Sequence, residues 1–201
     1  MTAINRRLNI VIPINRSDDT VLYVHSTPIM TETFEFYHMV LAKTWSGFVQ
    51  NGLDPRSAPS VAALILKETA KNTIRSAGYS WADGPDGVGG ESGLIAEMLR
   101  LTNVVVPDKN QGWSTLPFQM AVSQNLVSDD EKSEVMNLLT FFTVASLMPP
   151  RVDRENIILG MARMYELHTT FLNCMEYATS LKTSMRDAAS GENPATSSVP
   201  A

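Results

Sequence analysis

The sequence predicts a mainly α fold: a helical domain with an N-terminal β-hairpin and a disordered C-terminal tail. Three observations lead to this prediction. Residues 128–148 form a capped and almost wholly apolar segment, two other segments repeat apolar residues every three or four positions, and two short N-terminal segments alternate apolar with polar residues. The first two patterns are typical of buried and amphipathic helices, and the third is typical of paired strands.

The N-terminal region, residues 1–30, predicts a β-hairpin packed on the helical domain. Apolar residues alternate with others along 8–14 and again along 21–26, and the residues between them, NRSDD, favour a turn. Pro13 has no backbone N–H, so its strand is expected at a sheet edge. A hairpin alone is only marginally stable, so this one needs a packing partner.

The helical domain is predicted to span residues 31–185. Thr31 caps its first helix, which ends at Asn51 and Gly52 and carries an apolar stripe at helical spacing. The stripe consists of Phe34, Tyr37, Leu41, Trp45 and Phe48. Further helices are expected from Ser60 and over 94–101, with loops over 78–93 and 102–115 and one or two helical turns within 116–127.

The central helix begins at a capping box, because Ser128 is followed three residues later by Glu131. From Leu138 to Met148 it is apolar on nearly every side, which predicts that neighbouring elements cover it completely. Pro149 and Pro150 end it. The apolar stretch is shorter than the about 20 residues that a membrane span needs.

A last long helix is predicted from Asp153 to about Met185. Its apolar stripe consists of Ile157, Met161, Met164, His168, Phe171, Met175 and Ala178. Residues 186–201 are small, polar and proline-containing, so they are expected to form a disordered tail.

Composition limits the classes of partner. The 16 basic and 21 acidic residues give a net charge of -5 without a basic stripe, which argues against nucleic acid. The single cysteine, Cys174, excludes an internal disulfide, and the N-terminus lacks the core of a signal peptide. The expected location is a reducing cytoplasm, and no membrane partner is expected.

No motif identifies an enzyme. The glycine-rich loop up to Gly93 lacks the ending of a P-loop, and its acidic residues Asp83, Asp86 and Glu91 match no EF-hand spacing. The histidines His25, His38 and His168 form no HExxH motif, although a three-histidine metal site stays open. Cys174 is interpreted as an inert buried thiol. The prediction is no enzymatic activity, no cofactor and no metal; the alternative is a small enzyme with its site in the glycine-rich loop.

The 11 methionines suit adaptable partner-binding surfaces, although most are expected to fill gaps in the core. Trp81 and Trp113 fall in predicted loops, where an aromatic side chain is either packed onto the domain or offered to a partner.

Five segments together resemble the tail assembly chaperones of long-tailed bacteriophages (siphoviruses) with lambda-like tail genes. These segments are RRLNIVIPI, TVLYVHSTPI, GLIAEMLRLTNV, FFTVASLM and LNCMEYATSLKTS. The resemblance implies a late, non-enzymatic protein of the infected host's cytoplasm that is absent from the mature virion. It also implies binding to the tape-measure protein, which such chaperones keep soluble, and recruitment of tail tube protein. In many such phages a frameshift adds a second domain to some molecules, so a longer form of this chain is a further expected partner.

The client is expected in an apolar groove between the first helix and the central helix. The candidate partner-binding residues are Phe34, Tyr37, Leu41, Trp113 and Phe141. The alternative function is that of a structural virion protein, such as a minor tail or connector subunit. The sequence leaves open whether the chain forms a homo-oligomer.

Overall fold

A computed structural model describes residues 8–18, 20–50, 57–76, 92–108 and 112–181. Within these residues the chain forms seven helices and one five-stranded antiparallel sheet. The strands are β1 (Asn9–Asn15), β2 (Val21–Ser26), β3 (Thr102–Asp108), β4 (Gly112–Pro117) and β5 (His168–Thr170). The helices are α1 (Thr31–Gln50), α2 (Ala58–Ser76), α3 (Ser92–Arg100), α4 (Phe118–Ser123), α5 (Asp129–Leu147), α6 (Arg151–Met164) and α7 (174–181).

The predicted mainly α fold is wrong, because the sheet is a substantial layer rather than a lone hairpin. Its strand order is β4-β3-β2-β1-β5, with every neighbouring pair antiparallel. The segment 102–115, predicted as a loop, supplies most of β3 and β4. Its β-branched run of Thr102, Val104, Val105 and Val106 favours a strand, and β2 supplies the partner that the sequence pattern did not reveal.

The predicted N-terminal hairpin is confirmed as β1 and β2, with Ile12 opposite Val24 in the register. Pro13 does not place β1 at the edge of the sheet, because β5 pairs with the other side of β1. The β5 pairing extends only from Asn9 to Val11, however, so it stops before it reaches the proline. The missing N–H of Pro13 is therefore tolerated just beyond the end of β5.

One side of the sheet, here called the helical face, packs on the main core. Ile10, Ile12 and Val24 point to this side, and each of the helices α1 to α6 contributes buried side chains to the same cluster. The helix α5 lies at its centre and packs against α2 and α6. Every residue of α5 from Leu138 to Ser146 is buried, which confirms the predicted all-round cover for most of the stretch, while Leu147 and Met148 at its end are partly buried.

The capping box predicted at the start of α5 is also confirmed, with Ser128 and Glu131 satisfying each other's backbone N–H groups. Arg16 from the turn between β1 and β2 adds a second role for Glu131. Its guanidinium donates to both carboxylate oxygens at 2.9 and 3.0 Å and also donates to the Leu126 carbonyl. The hairpin turn is thereby tied to the N-terminus of the central helix.

The predicted long last helix is wrong, because the chain forms three elements there: α6, β5 and α7. Glu166 adopts a positive φ of 55°, and the Leu167 N–H bonds to the Ala162 carbonyl at 2.8 Å. These are features of a Schellman motif, which ends a helix and redirects the chain. This position is normally glycine, so a glutamate there did not indicate the end of a helix. The predicted tail, residues 186–201, lies outside the described residues.

Candidate partner-binding surfaces

The five candidate residues predicted from the sequence do not share one surface. Leu41 and Phe141 are only 1% and 7% exposed and belong to the main core. Phe34 and Tyr37 are partly buried against that core. Trp113 belongs to a different cluster on the opposite side of the sheet. Four members of the stripe that predicted α1 therefore lie on the inward side of that helix: Phe34, Tyr37, Leu41 and Trp45.

The outward side of α1 instead exposes two large apolar residues. Phe36 and Met39 are 65% and 60% exposed, and they lie three positions apart on one helix face. The Phe36 ring contacts the adjacent Tyr37 ring edge-on, with centroids 4.8 Å apart. Helical spacing predicted the buried stripe but could not reveal this second, exposed pair.

The second surface is the side of the sheet opposite the helical face, here called the aromatic face. Val11 and Val105 are its fully buried centre, and α7 covers them with Tyr177 and Ala178. Tyr23 and Trp113 lie partly buried at the border of this cluster.

Tyr23 lies at the centre of the aromatic contacts. Its ring centroid is 5.5 Å from Trp113, 5.8 Å from Tyr177 and 6.2 Å from His168. Tilted and edge-on arrangements at these distances are favourable for aromatic pairs. The four rings come from β2, β4, β5 and α7, so they connect one sheet edge to the other.

The turn that leads into α7 is held by a shared hydrogen-bond acceptor. Asn9 Nδ2 and His25 Nε2 both donate to the Leu172 carbonyl, at 2.8 and 3.0 Å. Because a carbonyl only accepts, Nε2 of His25 carries the proton and Nδ1 is unprotonated in the neutral ring. Burial lowers the pKa of His25, which favours that neutral state.

Hydrogen bonding on the aromatic face is incomplete. The buried side-chain atoms without a partner in the described part of the chain are Asn9 Oδ1, His25 Nδ1 and Trp113 Nε1. All three lie on this face. A buried polar atom that truly lacks a partner costs about 1–3 kcal/mol of stability.

The reactive groups on this face are not activated. Burial raises the pKa of Cys174 to about 11, which keeps its thiol protonated near neutral pH. Burial also raises the pKa of Tyr177 to about 12, with a further contribution from Tyr23. His168 Nδ1 lies 3.5 Å from the Tyr177 hydroxyl, which is too long for a strong hydrogen bond.

Large apolar side chains are exposed beside the aromatic face. Phe171, in the turn before α7, is 49% exposed, and Met175, in α7 itself, is 73% exposed. The predicted last helix placed both on a core-facing stripe. Because the chain turns at Glu166 and again passes through β5, the structure places them at the surface instead.

The structure also bears on the metal site and the glycine-rich loop considered from the sequence, and on membrane-spanning helices. Among the described residues, no group of three or more His, Cys, Asp or Glu side chains is arranged to hold a metal ion. The glycine-rich loop residues Asp83, Asp86 and Glu91 lie outside the described residues, as does Trp81. None of the helices in the described ranges combines the length and apolarity needed to cross a membrane.

Comparison with known proteins returns no relative. No protein-family model matches the chain. No curated protein is significantly similar to it, and no solved structure matches its fold.

Proposed function

We propose that this chain is a tail assembly chaperone of a long-tailed bacteriophage. It binds the tape-measure protein, keeps it soluble and helps to recruit tail tube subunits in the host cytoplasm. The proposal rests on the resemblance of five segments, which include β1, β2 and the turn and helix from Leu172 onward. It assigns the chain no enzymatic activity.

The observation that supports client binding best is the pair of exposed apolar side chains beside the aromatic face. Phe171 and Met175 are 49% and 73% exposed, and their chain neighbours Leu172 and Cys174 pack against the cluster of the aromatic face. Burying one such side chain contributes about 1.5–3 kcal/mol, so a client that covers both gains appreciable affinity. Trp113 and Tyr23 are residue types that often dominate binding energy at interfaces.

A helical client suits this surface. The thioether of Met175 and the ring of Phe171 can adapt to the apolar stripe of an amphipathic helix, a common mode of peptide recognition. Methionine tolerates many different neighbours, as a chaperone that follows a long client along its length requires.

Co-expression with the phage tape-measure protein tests the proposal. The native chain is expected to move the tape-measure protein into the soluble fraction, and the two should purify together. The double variant Phe171→Ser/Met175→Ser is expected to lose most of this effect while keeping the native circular dichroism spectrum. Val152→Ser is the matched control, because Val152 is 82% exposed in the first turn of α6 and does not belong to the cluster of the aromatic face.

Insoluble tape-measure protein in the presence of the native chain would overturn the chaperone function. If the double variant keeps the tape-measure protein fully soluble, the chaperone function stands but the client binds to another surface. The rival structural virion protein predicts that mass spectrometry of purified particles finds the chain in stoichiometric amount, whereas a chaperone is absent from them.

A further inference from the structure

The outer face of α1 carries a charged residue on either side of its exposed apolar pair. Glu32 precedes Phe36 by four positions, and Lys43 follows Met39 by four. At 100° per residue, these spacings keep all four side chains within one narrow stripe. All four residues are exposed.

The order of these residues is symmetric about a single point. The midpoint between Phe36 and Met39 falls between residues 37 and 38, and so does the midpoint between Glu32 and Lys43. When two copies of a helix pack antiparallel across a two-fold axis, residues equally far from the axis face each other. Phe36 of each copy then meets Met39 of the other, and Glu32 meets Lys43.

We propose that α1 is the interface of a homodimer, in which its outer face packs antiparallel on the same face of a second copy. The pairing covers two exposed apolar side chains of each chain and forms two reciprocal ion pairs, one at each end of the contact. A phenyl ring against a thioether is a favourable neighbour pair.

The charges favour this arrangement over the parallel one. A parallel pair would set Glu32 against Glu32 and Lys43 against Lys43, and both contacts would be repulsive. Neither Glu32 nor Lys43 forms an ion pair within the part of the chain that the structure describes. A helix bound as a foreign client would not require a symmetric order of residues.

The extent of the contact predicts a reversible dimer. From Glu32 to Lys43 the helix rises about 17 Å, or about three turns, which is small beside the interfaces of permanent dimers. The dissociation constant of the dimer is therefore expected in the micromolar range. The dimer does not depend on the client, and it leaves the aromatic face of each chain available.

Sedimentation velocity of the full chain at low ionic strength tests the proposal. Between about 5 and about 500 µM, the native mass is expected to rise from 22.1 kDa towards twice that value. Phe36→Asp should remain monomeric throughout this range. Leu64→Ser is the matched control, because Leu64 is 65% exposed on α2, and its association should equal that of the native chain.

Charge exchange tests the antiparallel register. Glu32→Lys alone sets lysine against Lys43 at both contacts, and Lys43→Glu alone sets glutamate against Glu32. Each is expected to weaken self-association about tenfold. An equimolar mixture of the two variants restores opposite charges at both contacts, so it should form a heterodimer with near-native affinity.

A native mass that stays monomeric over the whole range would overturn the proposal. Association that persists in Phe36→Asp would also overturn it, because the dimer would then use another surface. Failure of the two charge variants to recover affinity when mixed would reject the antiparallel register. Added salt should weaken the native dimer, because the ion pairs are exposed.

Discussion

On the helical face of the sheet, six helices bury a continuous core, whereas on the aromatic face α7 covers a small cluster within the described residues. The first face is further secured by the bond from Arg16 to Glu131. The second face contains the three unpaired buried atoms of Asn9, His25 and Trp113. One face of the sheet therefore contributes most of the buried core, whereas the other buries a smaller cluster that includes unpaired polar atoms.

The largest effect is expected from Phe142→Ala in the core of the helical face. Phe142 is 1% exposed, and removing a buried ring leaves a cavity that costs about 3–5 kcal/mol. Urea unfolding should measure this loss as a lower free energy of unfolding. Met120→Ala is the control, since this side chain is 50% exposed, and its effect should stay within about 0.5 kcal/mol. A loss below about 1 kcal/mol for Phe142→Ala would contradict the expectation that the core on the helical face contributes most of the stability.

Glu131→Ala should have the next largest effect, because it removes half of the capping box and the partner of Arg16. The expected loss in unfolding free energy is about 2 kcal/mol. Asp130→Ala is the control in the same helical turn, and it should change the free energy much less. Similar losses in the two variants would indicate that the tie between hairpin and helix contributes little.

The Glu131 carboxylate should also make the free energy of unfolding depend on pH in the acidic range. Its hydrogen bonds with Arg16 hold the pKa of Glu131 below the unfolded value of 4.5. Its contribution is therefore fully present above pH 4.5 and is lost as the pH falls through the folded pKa. Unfolding free energies of the native chain and Glu131→Ala should converge below that range.

On the aromatic face, the buried imidazole of His25 should make the free energy of unfolding depend on pH more weakly and in a different pH range. Because burial sets the folded pKa of His25 below the unfolded value of 6.5, the unfolded chain takes up a proton first as the pH falls. The contribution of His25 to stability is therefore fully present above pH 6.5 and is lost as the pH falls through the folded pKa. Urea unfolding of His25→Phe should lack this decline, whereas the control His38→Gln should retain it. An identical pH dependence in both variants would refute the role of His25.

The smallest effect concerns the reactivity of Cys174 rather than stability. With a pKa of about 11 in place of 9.0, its thiolate fraction at pH 8 is about 100-fold lower than in the unfolded chain. Alkylation by iodoacetamide should be slower by about that factor in the folded protein, with the urea-unfolded chain as reference. Equal rates would mean that the segment 171–181 opens readily from the aromatic face.

The elements that could be predicted from the amino-acid sequence are those whose signals are local. The alternation along β1 and β2, the capping box of Ser128 and Glu131, and the apolar centre of α5 each lie within a few neighbouring residues. Helical spacing also identified the inward stripe of α1. These signals predicted the hairpin and the central helix because propensity, capping and periodicity act over one or two turns.

The elements that depend on partners far away in the sequence could not be predicted and became visible in the three-dimensional fold. The strand β3 forms because β2 offers it a ladder, and β5 forms because β1 does, although their sequences are almost eighty and one hundred and sixty positions apart. Glu166 adopts a left-handed backbone conformation that ends α6, although the apolar periodicity continues beyond it. Phe171 and Met175 therefore lie at the surface. Local patterns indicate which residues favour burial, but long-range pairing determines which of them are buried in the folded chain.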